Sequence, residues 1–211
     1  MERKRIYRKP RKRPYNRRGK MKEFTPGQIM ELATKVRDSG KLHAKRDYAL
    51  LCVSVDMMAR QSDILALKFG DVIRDNGEIV DELQFDQQKT GELATCIFTD
   101  ETREALADYV GKYAECVRSD KDRLIFGMCS RRYRDLVKEW AVMLDLNPKR
   151  YSGHSFRRTK AKMIYAETGD IMAVKKLLGH TSARHTQEYL DVEQSAALDL
   201  ARRISPLRRK A

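Results

Sequence analysis

One stretch of the chain, DNGEIVDELQFDQQKTGELATCIFTD (residues 75–100), interrupts a pattern that is otherwise helical, and it limits the fold more than any other feature. Short alternating and β-branched runs surround two turn signals, Asn76-Gly77 and Thr90-Gly91. Runs of this kind, punctuated by glycine-containing turns, predict short antiparallel strands. The segment has room for one small sheet, with Lys89 at the edge of its second turn.

The flanking sequence reads as helix. In TPGQIMELATKVRDSG, Thr25 is an N-cap, Pro26 takes the first helical position, Gln28 completes a capping box and Gly40 is the stop. AKRDYALLCVSVDMMA (44–59) predicts a buried helix. QSDILALKFGDV (61–72) predicts a second, short one with Ile64, Leu65, Leu67 and Phe69 toward the core. Arg60 is the strong charge at the junction. Helices are expected again over 101–117 and 131–144, then over SFRRTKAKMIYAET up to Gly169 and IMAVKKLL up to Gly179. Another should carry Tyr189, and 193–204 has an apolar helical stripe at Ala196, Ala197, Leu200 and Ile204. The expected fold class is mainly α with a small antiparallel β-sheet. With 41% apolar residues, one domain over 23–204 can bury a real core.

The charge sits at the two ends. Of a net +14, residues 1–22 hold twelve Lys/Arg against Glu2, and 202–211 hold five with no acid, so the middle is close to neutral at −2. The first segment is basic and turn-rich, and is expected to be a disordered arm for an anionic partner, above all nucleic acid. Its expected contacts are Arg3, Lys4, Arg5, Arg8, Lys9, Arg11, Lys12, Arg13, Arg17 and Arg18. Residues 205–211 form a basic tail. No apolar face accompanies the arginines, no run approaches the ~20 residues of a membrane span, and no hydrophobic region follows the basic N-terminus. Cys52, Cys96, Cys116 and Cys129 make no CxxC pair, which favours reduced thiols in the cytoplasm over a zinc site.

Three of the four histidines, His154, His180 and His185, fall between Ser152 and Glu193. His154 and Arg157 share a helix face at a spacing of three. His180 follows a Leu-Leu-Gly helix stop, and Tyr189 lies nine residues later. His180 and His185 are not spaced as a metal pair, and His185 is read as lying outside the group. Arginine, histidine and lysine donors around a tyrosine suit phosphodiester chemistry: a nucleophile attacks phosphorus, fixed cations neutralise the non-bridging oxygens, and a proton reaches the leaving oxygen. Taken singly the residues are ambiguous. Arg60 reads equally well as a buried arginine paired with Asp56 or Asp63, and Lys89 as an ordinary turn lysine.

Together the motifs resemble the catalytic domain of the tyrosine recombinases, the lambda-integrase family. The family's H-x-x-R box stands as HSFR, its Leu-Gly-His as LLGH and its tyrosine segment as HTQEYL. Its first arginine box stands as ARQSDILAL, giving Arg60 and Asp63, and its hairpin lysine as QKTGE, giving Lys89. The resemblance covers about 23–200. It implies a site-specific recombinase that cleaves and rejoins DNA through a 3′-phosphotyrosine intermediate, with no metal, ATP or other cofactor. Tyr189 would be the nucleophile; Arg60, Arg157 and His180 the phosphate donors; His154 a base or further donor; Lys89 the acid; and Asp63 the residue that orients Arg60. The implied partners are double-stranded DNA at a recombination site, further copies in a tetramer, and accessory DNA-bending proteins, in a cytoplasmic, nucleoid-associated setting. Many members carry an N-terminal helical clamp. Here the catalytic domain is expected almost at once, as in the short recombinases that invert fimbrial promoter switches, with the basic arm in the clamp's place. A topoisomerase IB-like relaxer and a non-catalytic DNA-binding regulator on the same fold are the alternatives.

Overall fold

The computed structural model describes residues 21–111, 120–180 and 182–190. In chain order the elements are α1 (Pro26–Arg37), α2 (Ala44–Asp56), α3 (Gln61–Leu65), α4 (Phe69–Val72), β1 (Glu82–Asp86), β2 (Leu93–Ile97), α5 (Asp100–Val110), α6 (Ser130–Met143), α7 (Gly153–Thr168), α8 (Ile171–Leu178) and α9 (Ala183–Leu190). The strands pair antiparallel, with Gln84 opposite Thr95. The fold is mainly α with one small antiparallel sheet, as its sequence pattern requires. The basic arm up to residue 20, the helix expected at 193–204 and the tail 205–211 lie outside the described residues.

Local chemistry explains most boundaries. The Thr25–Gln28 capping box forms, Gln28 N donating to Thr25 Oγ1 at 3.2 Å and Thr25 N to Gln28 Oε1 at 2.9 Å. Three expectations need correction. Helix α1 stops at Arg37, capped by Asp38, and the left-handed Gly40 belongs to the turn beyond it. Helix α2 ends at Asp56 rather than Ala59, because Met58 takes a left-handed conformation, φ 47°. The single helix expected over 61–72 is two, α3 and α4. Between them the chain bonds across to 121–125: Ile125 N donates to Leu67 O, and Phe69 N to Arg123 O. The 101–117 helix is described as α5, which reaches Val110.

Helix α2 is the centre, with α1, α5 and α7 packed on it. Trp140, Tyr133, Phe24 and Phe156 are among the largest fully buried side chains of the main core. A smaller cluster, Met58, Ala161, Val174, Leu178 and Leu190, joins α7, α8 and α9, with Tyr165 and Tyr189 packed against it. This cluster seats α9. A part-buried ion pair, Lys160 Nζ to Asp56 Oδ1 at 2.6 Å, ties α7 to α2, while Asp56 Oδ2 accepts from Thr99 and Thr102. Burial alone would raise the Asp56 pKa, but Lys160 and the hydroxyl and amide donors bring it below the ordinary carboxylate value.

Candidate active site

Arg60 stands at the N-cap of α3, and its guanidinium donates through Nη1 to Gln87 Oε1. It pairs with neither Asp56 nor Asp63 through its side chain. Asp63 instead accepts from the Arg60 backbone N–H at 3.2 Å and, through its other oxygen, from Gln88 N at 3.0 Å. One buried carboxylate thus joins the start of α3 to the hairpin turn. That turn holds Lys89, which is exposed.

Arg157 is 3% exposed on the first turns of α7. Its Nη1 donates to Met58 O and its Nη2 to Leu178 O, both at 2.6 Å. One carbonyl lies two residues beyond the end of α2 and the other on the last residue of α8, so a single guanidinium bonds to two chain reversals. One of them is the left-handed Met58, a conformation that a non-glycine residue adopts only at a cost. At the other, Gly179 has φ 59°, with Gly179 N bonded to Lys176 O and His180 N to Lys175 O. The turn presents His180 toward Arg157. Gln87, 2% exposed, closes the arrangement by donating from Nε2 to the same Leu178 carbonyl at 3.4 Å.

The imidazole of His180 meets the Tyr189 ring edge-on, with centroids 5.5 Å apart, and its Nδ1 lies 3.0 Å from the buried Thr186 Oγ1. When Thr186 donates, the His180 proton sits on Nε2, toward the site. The Tyr189 hydroxyl donates to His154 O at 3.4 Å, and the Arg158 guanidinium lies over the tyrosine ring at 5.3 Å. Burial pushes the Tyr189 phenol up to about 12, with Arg157, Arg158 and Arg60 pulling the other way. Burial first, then Arg157 and Arg60, lowers His180 to about 4. His154 keeps an exposed edge, yet desolvation on its inner side, followed by Arg157, Arg60 and Lys89, lowers its pKa as well. Arg157 and Arg60 therefore act on all three rings. His185 is exposed on α9, and its charge bears on His180 only after those of Arg157 and Arg60.

Five separate segments thus bring Arg60, Lys89, His154, Arg157, His180 and Tyr189 into one cluster around a half-buried phenol. The sequence reading missed Gln87, Met58, Thr186 and Arg158. Of these only Gln87 had a local signal, its place just before the Lys-Thr-Gly turn. The family model described as the phage integrase family matches residues 22–196. The chain belongs to the phage integrase family. Tyrosine recombinase XerD of Bradyrhizobium diazoefficiens is 31% identical over 186 residues, which cover 82% of this chain and 56% of that protein. The crystal structure of XerA recombinase superposes with a TM-score of 0.66 at 20% identity, covering 90% of this chain and 67% of that one. XerH site-specific recombinase bound to palindromic difH substrate, a post-cleavage complex, gives 0.67 at 15% identity, covering 87% and 53%. The two structures establish the phage integrase fold. The chain spans about half the length of the curated relatives it matches.

Proposed function

We propose that this integrase-family chain is a site-specific DNA recombinase whose nucleophile is Tyr189. The observation that carries the reading is the convergence of Arg60, Arg157 and His180 on the phenol of α9, with Lys89 on the adjoining turn. The resting phenol is poorly nucleophilic, since its pKa stands at about 12 and its proton is given to the His154 carbonyl. A scissile phosphate entering the cluster would change this. Its non-bridging oxygens would take the outward N–H groups of Arg60 and Arg157 and the Nε2–H of His180, and charge growing on phosphorus would be neutralised by fixed donors.

In the forward step the Tyr189 oxygen bonds to phosphorus and the bond to the 5′ oxygen breaks. The phenol proton leaves to a base, a role we assign to the His154 imidazole, whose pKa is lowered by burial and then by Arg157, Arg60 and Lys89. Lys89 gives a proton to the departing 5′ oxygen. The phosphotyrosine conserves the energy of the phosphodiester, so a 5′-hydroxyl from a partner strand reverses the step without ATP. Exchange between two duplexes requires more than one protomer, so we assign the chain to a tetramer on DNA. Residues 1–22 would supply sequence-independent phosphate contacts, and accessory DNA-bending proteins would assist where the site must be folded back. No helix among the described residues is long and apolar enough to cross a membrane.

The test is to trap covalent complexes on fragmented host DNA and sequence the attached ends. The expected result is a recurrent site with protein on the 3′ side and a free 5′-hydroxyl. Selective binding with no covalent species at any site would favour a non-catalytic regulator, and relaxed circles without recombinant junctions a topoisomerase.

A further inference from the structure

Helix α9 carries Tyr189, yet it is short and is seated by the smaller of the two clusters. Its tyrosine is approached by a cation that the mechanism does not use. Arg158 follows Arg157 on α7 and is 5% exposed. A buried arginine that touches no reacting atom calls for a partner and a purpose. One partner comes from far away in sequence. Glu23 Oε2 lies 3.5 Å from Arg158 Nε, and Glu23 Oε1 accepts from Lys162, one turn further along α7.

Glu23 is itself held in place. Phe24 stacks on Tyr151 at 4.5 Å and on Phe156 at 4.9 Å, and its backbone N–H donates to Thr159 Oγ1 at 2.9 Å. Lys22 N donates to Arg150 O at 2.8 Å. Residues 22–24 therefore form a clamp on α7 that fixes the carboxylate. The carboxylate lies 3.5 Å from the Arg158 Nε, a charge contact without a hydrogen bond, and the guanidinium lies over the face of Tyr189. A planar cation over an aromatic face is attracted by the ring's negative π surface, more strongly when both are shielded from water. The geometry fixes where the ring can sit while leaving its hydroxyl edge toward His154 and the cationic cluster.

We propose that Arg158, oriented by Glu23, is a positioning residue that docks α9 and holds the Tyr189 ring for attack. Its role as a docking element stands on the geometry. Its effect on the reaction rests on Tyr189 being the nucleophile. Two measurements on the full chain separate these. The first is hydrogen exchange in the absence of DNA, which needs no activity. Arg158→Met keeps an unbranched stem about as far as the arginine Nε and removes the cation. It should raise exchange in 183–190 about tenfold, the factor that ~1.4 kcal/mol represents, while α2 and α6 remain protected. Glu23→Gln should act in the same direction and less strongly. Arg158→Lys, which keeps a charge over the ring, should recover most of the protection.

The second measurement is single-turnover covalent attachment to a nicked duplex, together with the affinity for that duplex. Arg158→Met should slow attachment about tenfold with affinity unchanged, and Arg158→Lys should restore most of the rate. Unchanged exchange in 183–190, or an increase spread equally over all helices, would overturn the proposal. So would a lysine variant no better than methionine. If the unaltered chain forms no covalent species, the recombinase reading fails, and the exchange data still decide whether Arg158 docks α9.

Discussion

Substituting Gly179 tests whether the site is built around the contact between the hairpin turn and the end of α8. A β-carbon on Gly179 would stand 2.0 Å from Gln87 Nε2 and 2.8 Å from its Cδ, far inside contact distance. It would also have to accept φ 59°. The left-handed backbone costs an alanine about 1–2 kcal/mol. Overpacking in a buried site adds about 1–3 kcal/mol, because Gln87 must leave its bonds to Arg60 and to Leu178 O. Gly179→Ala should therefore lose roughly 2–5 kcal/mol, the sum of those terms. Gln87→Ala alone should lose about 1–3 kcal/mol as buried hydrogen bonds go. In the double variant the clash is gone and only the strained backbone and the missing hydrogen bonds remain. Urea unfolding of the four proteins should then show a double variant that is more stable than additivity requires, by about 1–3 kcal/mol. Additivity to within about 0.5 kcal/mol would mean that Gln87 does not occupy the space beside Gly179, and the account of how Arg60 is held would fall.

Lys89→Ala should be slow on ordinary DNA and largely rescued when the bridging 5′ oxygen is sulfur, since a thiolate needs little help from an acid; Arg157→Ala, which loses a donor worth ~3 kcal/mol, should stay slow on both, and equal defects for Lys89→Ala on the two substrates would remove it as the acid. His180 is held well below its ordinary value, at about 4, so the unfolded chain binds its proton first as the pH falls. The stability it contributes is complete above the unfolded-state value of about 6.5 and is lost on the way down to the folded one. Replacing His180 with Asn should flatten the dependence of Tm on pH between 7 and 4.5, and an unaltered slope would contradict the burial argument. Deleting residues 1–20 should weaken binding to all sequences alike and reduce the salt dependence by about 0.9 in log–log slope for each phosphate that the arm neutralises; an unchanged slope would mean that it neutralises none.

What was legible in the sequence was what local chemistry decides. The Thr25 capping box, the glycine after α8 and the turn that holds Lys89 depend on residues within a few positions of one another, and their patterns predicted the elements that form. The six expected site residues could be proposed because they stand in five short motifs, and the pattern within each motif is a local property. The rest depends on contacts between distant segments. Gln87 matters because Leu178 O lies beside it, 91 positions later in the chain. Met58 is left-handed where Arg157, from α7, holds its carbonyl. The break between α3 and α4 arises from pairing with 121–125, which no helical periodicity announces. Arg158 looked like one more basic residue on a polar helix. Only the fold shows it buried between Glu23 and the Tyr189 ring. Asp63 was expected to orient Arg60, and the bond runs to the backbone N–H rather than to the guanidinium.

The central claim is that the Tyr189 oxygen becomes bonded to DNA. The direct measurement is mass spectrometry of the peptide left attached to the 3′ end of a nicked duplex after protease digestion, made with and without EDTA. The account predicts a single adduct on the peptide containing Tyr189, formed equally well with the chelator and absent from Tyr189→Phe, which should still bind the duplex. An adduct on Tyr165 or any other residue, or one that persists in Tyr189→Phe, would contradict it.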